Sequence, residues 1–187
     1  MIVSLCTVVS NRLWQLEETL KHNKDFLKVD EVELCIAAYN DDTIVPFLKE
    51  NYSSYLADGR IVIEEFVDNY KPRDGSSFAC GHAKNLSHRL GKGKVLFNLD
   101  ADNFMDETTL KQLYALKPRQ ILFNSPRDNL GDGRAGRIGC PRSLYYSLCG
   151  YRDVGRNDDG DFILRAILQG SKGIHSVCVL KPLPNQR

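Results

Sequence analysis

The chain has 187 residues, 42% of them hydrophobic and 26% charged, with a formal net charge of +1. These values suit one soluble, compact domain that buries its own core without disulfides or a structural metal. They give no global charge to draw the protein to nucleic acid or to a membrane surface. The six cysteines, Cys6, Cys35, Cys80, Cys140, Cys149 and Cys178, form no CxxC pair, which argues against a zinc ribbon or a thioredoxin-like motif. Most of them sit in apolar runs, as small buried side chains do. The opening run from Ile2 to Val9 is too short to span a membrane and lacks the basic flank of a signal peptide. The expectation is a cytoplasmic protein with reduced thiols.

Ile2 to Val9 reads as a strand buried on both faces, with Ser10 and Asn11 able to cap the helix that follows. Leu13, Leu16 and Leu20 give that helix its apolar spacing through about His22. Val32 to Ala38 is a second buried strand, followed by the polar turn Tyr39-Asn40-Asp41-Asp42. A helix is predicted over Val45 to Tyr55 and a strand over Arg60 to Val67. After the polar loop Asp68 to Ser77, a helix runs from Phe78 to Leu90, with Ser76 or Ser77 as its cap. Val95 to Leu99 is a fourth strand, emptying into Asp100-Ala101-Asp102-Asn103. A helix from about Glu107 to Leu116 and a strand from Gln120 to Asn124 come next. Ser125 to Gly139 reads as a loop rich in Gly, Arg and Asp. Helices are predicted over Arg142 to Leu148 and Asp159 to Gln169, and a last strand over Val177 to Leu180, before a loose tail from 181 to 187.

Strands alternating with helices imply an α/β fold, a mainly parallel sheet flanked by helices, in one domain over 1–180. In such sheets ligands bind beyond the carboxyl ends of the strands. That rule gathers Thr7 to Arg12, Tyr39 to Asp42 and Asp100 to Asn103 along one edge.

Two acidic clusters carry chemistry. Asp100 and Asp102 are two apart, so in extended backbone they point to the same side. Such a pair can hold a hard cation, or one carboxylate can hold the cation while the other accepts ribose hydroxyls. The bland alternative is a solvated turn that caps the next helix. Asn157-Asp158-Asp159-Gly160-Asp161 opens a predicted helix, where carboxylates complement the helix dipole. Its functional reading is a general base that removes a proton from an acceptor hydroxyl.

The chain resembles the nucleotide-sugar-dependent glycosyltransferases of the GT-A fold, especially the family 2-like inverting enzymes. The matching pieces run in order through most of the chain. They are Val8 to Arg12 with Leu16, Thr19 and Leu20; Glu33 to Ile36 leading to Asn40-Asp41-Asp42; Ala83-Lys84-Asn85; Val95 to Asn103 with its Asp-x-Asp; Gly139 to Arg142 through Gly150-Tyr151-Arg152; and Asp158-Asp159-Gly160-Asp161 with Arg165. The resemblance implies a Rossmann-like GT-A domain and a nucleoside-diphosphate sugar donor. It implies a donor site of Thr7, Val9, Asn11, Arg12, Asn40, Asp41, Lys84, Asn85, Asp100, Ala101 and Asp102. It implies Mn²⁺ or Mg²⁺ on Asp102 and Asp100, with His175 as a candidate third ligand, and Asp159 as the base beside Asp158. Asp158 stands where Glu is common in the family, and the chain is short for it, so the acceptor is less defined than the donor. The family's membrane-associated tail has no counterpart here, which argues against a processive enzyme.

The acceptor is expected to be a saccharide or another hydroxyl compound. Arg127, Arg134, Arg137 and Arg142, with Lys84, Arg89, Lys92 and Lys94, read either as solvated surface or as phosphate recognition. They keep a modified DNA base open as an acceptor, although no aromatic residues interleave with them. Two rival functions stand beside the transferase. A nucleotidyltransferase would carry a Gly-rich loop after the first strand, where this chain has Val8-Val9-Ser10-Asn11-Arg12. A non-catalytic nucleotide-sugar-binding module would not need both acidic clusters. His82 and His88 lack the HExxH spacing of a zinc pair.

Overall fold

The structure is a computed structural model that describes residues 2–72, 75, 78–123, 137–154, 157–176 and 182–183. The strands are β1 (Val3–Val9), β2 (Val32–Tyr39), β3 (Ile61–Phe66), β4 (Val95–Asn98), β5 (Gln120–Phe123), β6 (Gly139–Pro141) and β7 (Lys172–His175). The helices are α1 (Leu13–Asn23), α2 (Ile44–Asn51), α3 (Ser53–Ala57), α4 (Cys80–Leu90), α5 (Glu107–Tyr114), α6 (Arg142–Ser147) and α7 (Asp158–Leu168), with a 3-10 turn at Lys24–Lys28. The described strands form one sheet in the order β3-β2-β1-β4-β6-β5-β7. β1, β2, β3 and β4 are mutually parallel, and β6 alone runs antiparallel to its neighbours β4 and β5. β5 and β7 pair in parallel.

Alternation along the strands splits the core into two layers. Leu5, Leu34, Ile36 and Phe97 meet Leu16, Leu20, Ile44, Leu48 and Leu113 of α1, α2 and α5 on one face. On the other face Cys6, Cys35, Leu96 and Ile121 meet Leu144, Tyr145 and Phe162 of α6 and α7, while Ala37 and Tyr39 meet Ala83 and Leu86 of α4. Small side chains on β1 and β2 there let α4 lie close to the sheet centre, between the two halves. The expected α/β architecture of a mainly parallel sheet flanked by helices is the one observed.

Several local expectations differ. The helix predicted from Val45 to Tyr55 breaks at Tyr52 (φ −133°), whose ring packs between Phe47 and Tyr55. Ser10 and Asn11 do not cap α1. Arg12 holds the cap position without a side-chain bond, and Asn11 takes a positive φ of 54°. The predicted loop through Gly139 ends in β6, which the local pattern does not mark. The described final strand is Lys172–His175, upstream of the predicted one. Ser76, Ser77, Asn124, Arg127, Arg134 and the predicted strand Val177 to Leu180 lie outside the described residues.

Candidate active site

β4 ends against β1, where Leu99 N–H donates to the Cys6 carbonyl (2.9 Å). Beyond it the chain turns, with Asn103 N–H donating to the Asp100 carbonyl (3.0 Å). Leu99 and Ala101 are buried, which leaves Asp100 and Asp102, alternating with them, half-buried at the sheet edge. The turn is held from below. The Thr7 hydroxyl donates to the Leu99 carbonyl and the Thr19 hydroxyl to the Ala101 carbonyl, both at 2.8 Å. Asn98 Nδ2 donates to Asp100 Oδ1 (3.0 Å), and Asn103 Nδ2 to Asp102 Oδ1 (2.8 Å). Each carboxylate is thus oriented through one oxygen and keeps a second. The second oxygen of Asp102 lies 3.7 Å from Arg12 Nη1. Asn103, fully buried, also receives the Asn23 amide and the Arg137 guanidinium, so Arg137 supports the turn from within. Leu183 N–H donates to the Asp102 carbonyl (2.6 Å), and Pro182 bridges to Asn103. These two residues of the expected loose tail therefore lie against the acidic turn.

Burial, and then the charge of Asp100, raise the proton affinity of Asp102, against the opposing pull of Arg12 and Arg137. A site that makes Asp102 reluctant to carry its charge beside Asp100 is one a dication would relieve. Its donors are hard oxygens suited to Mg²⁺ or Mn²⁺, which bind through one or two carboxylates plus substrate phosphates. The pair therefore fits such an ion. His175 is not brought to it. It lies exposed on β7, with β6 and β5 between it and β4, its ring beside Phe123 (5.0 Å). Among the described residues no group of three His, Cys, Asp or Glu side chains converges to hold a metal.

The loops after β1 and β2 meet beside this turn. Asn11 and Asn40 both adopt positive φ (54° and 49°), a conformation Asn tolerates better than most residues. Asp41 is buried and engaged at both oxygens. Asn11 N–H donates to Oδ2 (2.7 Å), while Thr43 donates its N–H (3.2 Å) and hydroxyl (2.6 Å) to Oδ1. Asp41 thus staples the first loop to the second. Val9 is wholly buried, so only its backbone faces the edge.

The second acidic cluster opens α7. Asp158 is 3% exposed, whereas the Asp159 side chain is 17% exposed, so only Asp159 is within reach of a ligand. Lys84, from the middle of α4, donates to Asp159 Oδ1 (2.6 Å) and Asp158 Oδ2 (2.9 Å). Its ammonium lies 5.1 Å from the Tyr151 ring centroid. Burial alone would push the Lys84 ammonium down, but Asp159, Asp158 and Asp100 outweigh it and hold the charge in place. Burial pushes Asp159 up to about 6, opposed by Lys84 and reinforced by Asp158. Asp100 acts on both Lys84 and Asp159, so the two acidic clusters share one electrostatic field. α4 approaches this region closely because Gly81 has no side chain, and a Cβ there would sit 2.7 Å from the Arg152 carbonyl.

Asn85, like Lys84, faces the α6–α7 segment. It donates to the Tyr151 carbonyl (2.8 Å) and accepts from Tyr151 N–H (2.8 Å) and the Tyr145 hydroxyl (2.5 Å). Gly150, at φ 68°, turns beneath it, and a Cβ would lie 2.5 Å from Asn85 Oδ1. Arg165 completes the frame by bonding Asp161 (2.7 Å) and the carbonyls of Leu148 (2.6 Å) and Gly150 (2.8 Å).

One group escaped sequence reasoning. Asp68 accepts from the Tyr39 hydroxyl (2.7 Å) and lies 2.9 Å from His82 Nε2. Tyr70 stacks on His82 (4.3 Å, 6°) and donates to Asp153 (2.7 Å). Asp68 and Tyr70 are near neighbours in sequence, but Tyr39, His82 and Asp153 come from other elements and share no motif with them, so the fold joins the group. The Tyr70–Asp153 bond crosses from the β3 side to the segment before α7.

No family sequence model matches the chain, and no curated protein is recognisably similar to it in sequence. Solved structures are similar to it. The mannosyltransferase PcManGT from Pyrobaculum calidifontis, in complex with GDP-Man and Mn²⁺, superimposes with a TM-score of 0.71 at 17% identity, over 98% of this chain and 57% of that one. TarS 1–349 of S. aureus gives 0.63 at 13% identity, over 96% and 59%. Glucosyl-3-phosphoglycerate synthase from Mycobacterium tuberculosis, in complex with Mn²⁺, UDP and phosphoglyceric acid, gives 0.63 at 14% identity, over 99% and 72%. The chain spans a little over half the length of the first two. No helix among its described residues is long and apolar enough to cross a membrane. The fold of this chain is the GT-A fold that these glycosyltransferases share.

Proposed function

We propose that the protein is a metal-dependent glycosyltransferase that moves a sugar from a nucleoside-diphosphate sugar to an acceptor hydroxyl with inversion. One observation carries the reading. Lys84 bonds Asp158 and Asp159 and is also held by the charge of Asp100, which supports reading the acidic turn and the reachable Asp159 carboxylate as parts of one site. The similar mannosyltransferase and glucosyl-3-phosphoglycerate synthase structures hold Mn²⁺ with GDP-Man or UDP, which suits the Asp100 and Asp102 pair.

In this reading Asp102 and Asp100 hold a divalent ion that, when bound, offsets charge on the departing diphosphate. Arg12, exposed beside Asp102, adds a positive charge for the same phosphates. Asp159 accepts the proton of the acceptor hydroxyl as its oxygen attacks the anomeric carbon. The bond from that carbon to the diphosphate oxygen breaks on the opposite side, and the nucleoside diphosphate leaves with the electron pair. The acceptor is a saccharide or another hydroxyl compound, and the domain occupies 1–180.

Screening nucleotide-sugars for Mn²⁺-dependent thermal stabilisation tests the reading. A donor that raises the melting temperature only with Mn²⁺, and releases its nucleoside diphosphate on addition of an acceptor, supports it. No stabilisation by any nucleotide-sugar with Mn²⁺ or Mg²⁺ rejects it.

A further inference from the structure

The residue that joins the two acidic clusters has a definable task. Lys84 is 5% exposed, and its ammonium makes hydrogen bonds to both carboxylates at the start of α7. A lysine so buried is tolerated only when its charge is balanced by well-placed partners. The converse also holds. Burial and the neighbouring Asp158 charge raise the proton affinity of Asp159, and the Lys84 ammonium opposes them. A protonated Asp159 cannot accept another from the acceptor.

Geometry adds orientation to charge. Lys84 takes Oδ1 of Asp159, which fixes the carboxylate plane and leaves Oδ2 for the acceptor. Asp158, 3% exposed, is the inner anchor that completes the clamp. Gly81 lets α4 approach Arg152 and Asp158 closely, and the Tyr151 ring lies beside the Lys84 ammonium. We propose that Lys84 is a positioning residue for the transfer step, keeping Asp159 as an oriented carboxylate aimed at the acceptor hydroxyl. This rests on Asp159 being the base. Lys84 keeps all its protons throughout, and the acceptor proton passes to Asp159 alone.

The surrounding groups leave Asp159 to dominate the titration. Asp158 faces it from α7, Asp100 from the turn after β4, Tyr151 from the segment before α7 and Cys80 from α4, while His88 of α4 faces Lys84. Burial pushes Cys80 up to about 12 and His88 down to about 4, so both are neutral between pH 5 and 9. Burial also holds the Tyr151 hydroxyl protonated.

The test compares pH profiles of kcat/KM for wild type, K84M, K84R and D159N, with donor Kd from calorimetry. Wild type is expected to lose activity on acidification through about pH 6. In K84M this limb should move up by roughly two units, costing more than tenfold at pH 6.5 and recovering by pH 9, with donor Kd unchanged. K84R should keep the limb near its wild-type position and keep donor Kd. An unmoved limb in K84M overturns the proposal, and a tenfold loss of donor affinity in either variant with the limb in place overturns it and makes Lys84 a donor contact. Should K84M not fold, K84Q, which also removes the charge, is read in the same way, and an unmoved limb there overturns the proposal. Wild-type activity in D159N is a different outcome: it removes the base assignment itself.

Discussion

The two halves of the sheet are built by different rules. β1 to β4 run parallel, β1 pairs with β2 over seven residues, and nearly every side chain of β1 and β2 is buried. The β5 to β7 half has strands of three or four residues, one of them reversed, and β5 meets β6 at a single registered pair. The first half derives its order from apolar burial along long strands. The second packs Ile121, Phe123 and Cys140 on Tyr145, Tyr151 and Phe162, and the segment carrying those rings is tied to α4 by Lys84 and Asn85. The contrast teaches that the edge holding the acidic turn is intrinsic to the sheet, whereas the Asp159 region depends on one helix.

That difference can be broken experimentally. Asp159→Asn should cause the largest loss, about 10²- to 10⁴-fold in kcat, with Mn²⁺-dependent donor binding intact by calorimetry. Loss of donor binding as well would mean that the halves do not act separately. In wild type, kcat/KM should rise as pH increases through about 6, because Asp159 must shed its proton to act, and then level off. Asp102→Ala should remove the Mn²⁺-dependent part of donor affinity and leave melting without ligand nearly unchanged. Equal affinity with and without Mn²⁺ in wild type would sink the metal assignment. Asn85→Ala removes three hydrogen bonds to Tyr145 and Tyr151 and should cost roughly 2–4 kcal/mol in urea unfolding. Donor binding at low urea should survive that change. Gly150→Ala should cost about 1–2 kcal/mol for the left-handed backbone, plus whatever movement relieves the contact with Asn85. A neutral result at either position would show that the second half does not depend on α4.

Legibility in the sequence follows the same divide. Val3–Val9, Val32–Tyr39 and Val95–Asn98 were readable because continuous apolar runs mark buried parallel strands. The Asp100–Asp102 turn followed from its place at a strand end. Lys172–His175 was not readable, because Lys-Gly-Ile-His carries no strand pattern and pairs only because β5 lies beside it. β6 was equally silent, with three residues including Gly and Pro. Asp159 was legible from its helix-opening cluster. Lys84 was visible only as part of Ala83-Lys84-Asn85, and its expected partner was the donor. The two carboxylates it meets lie 74 and 75 residues away, a pairing no local spacing encodes. The bond from Tyr70 to Asp153 is hidden for the same reason.

The left-handed residues that close β1 and β2 limit how this chain can diverge. At Asn11 and Asn40 a β-branched side chain would collide with its own backbone, at a cost of roughly 1–2 kcal/mol each. Descendant sequences should therefore drift at these two sites mainly among Asn, Asp and Gly, whatever sugar or nucleotide they come to use. Selection on the ligand can rewrite neighbouring exposed positions, while these two keep a short alphabet set by backbone geometry and, at Asn40, by the bond its Oδ1 accepts from Asp68 N–H.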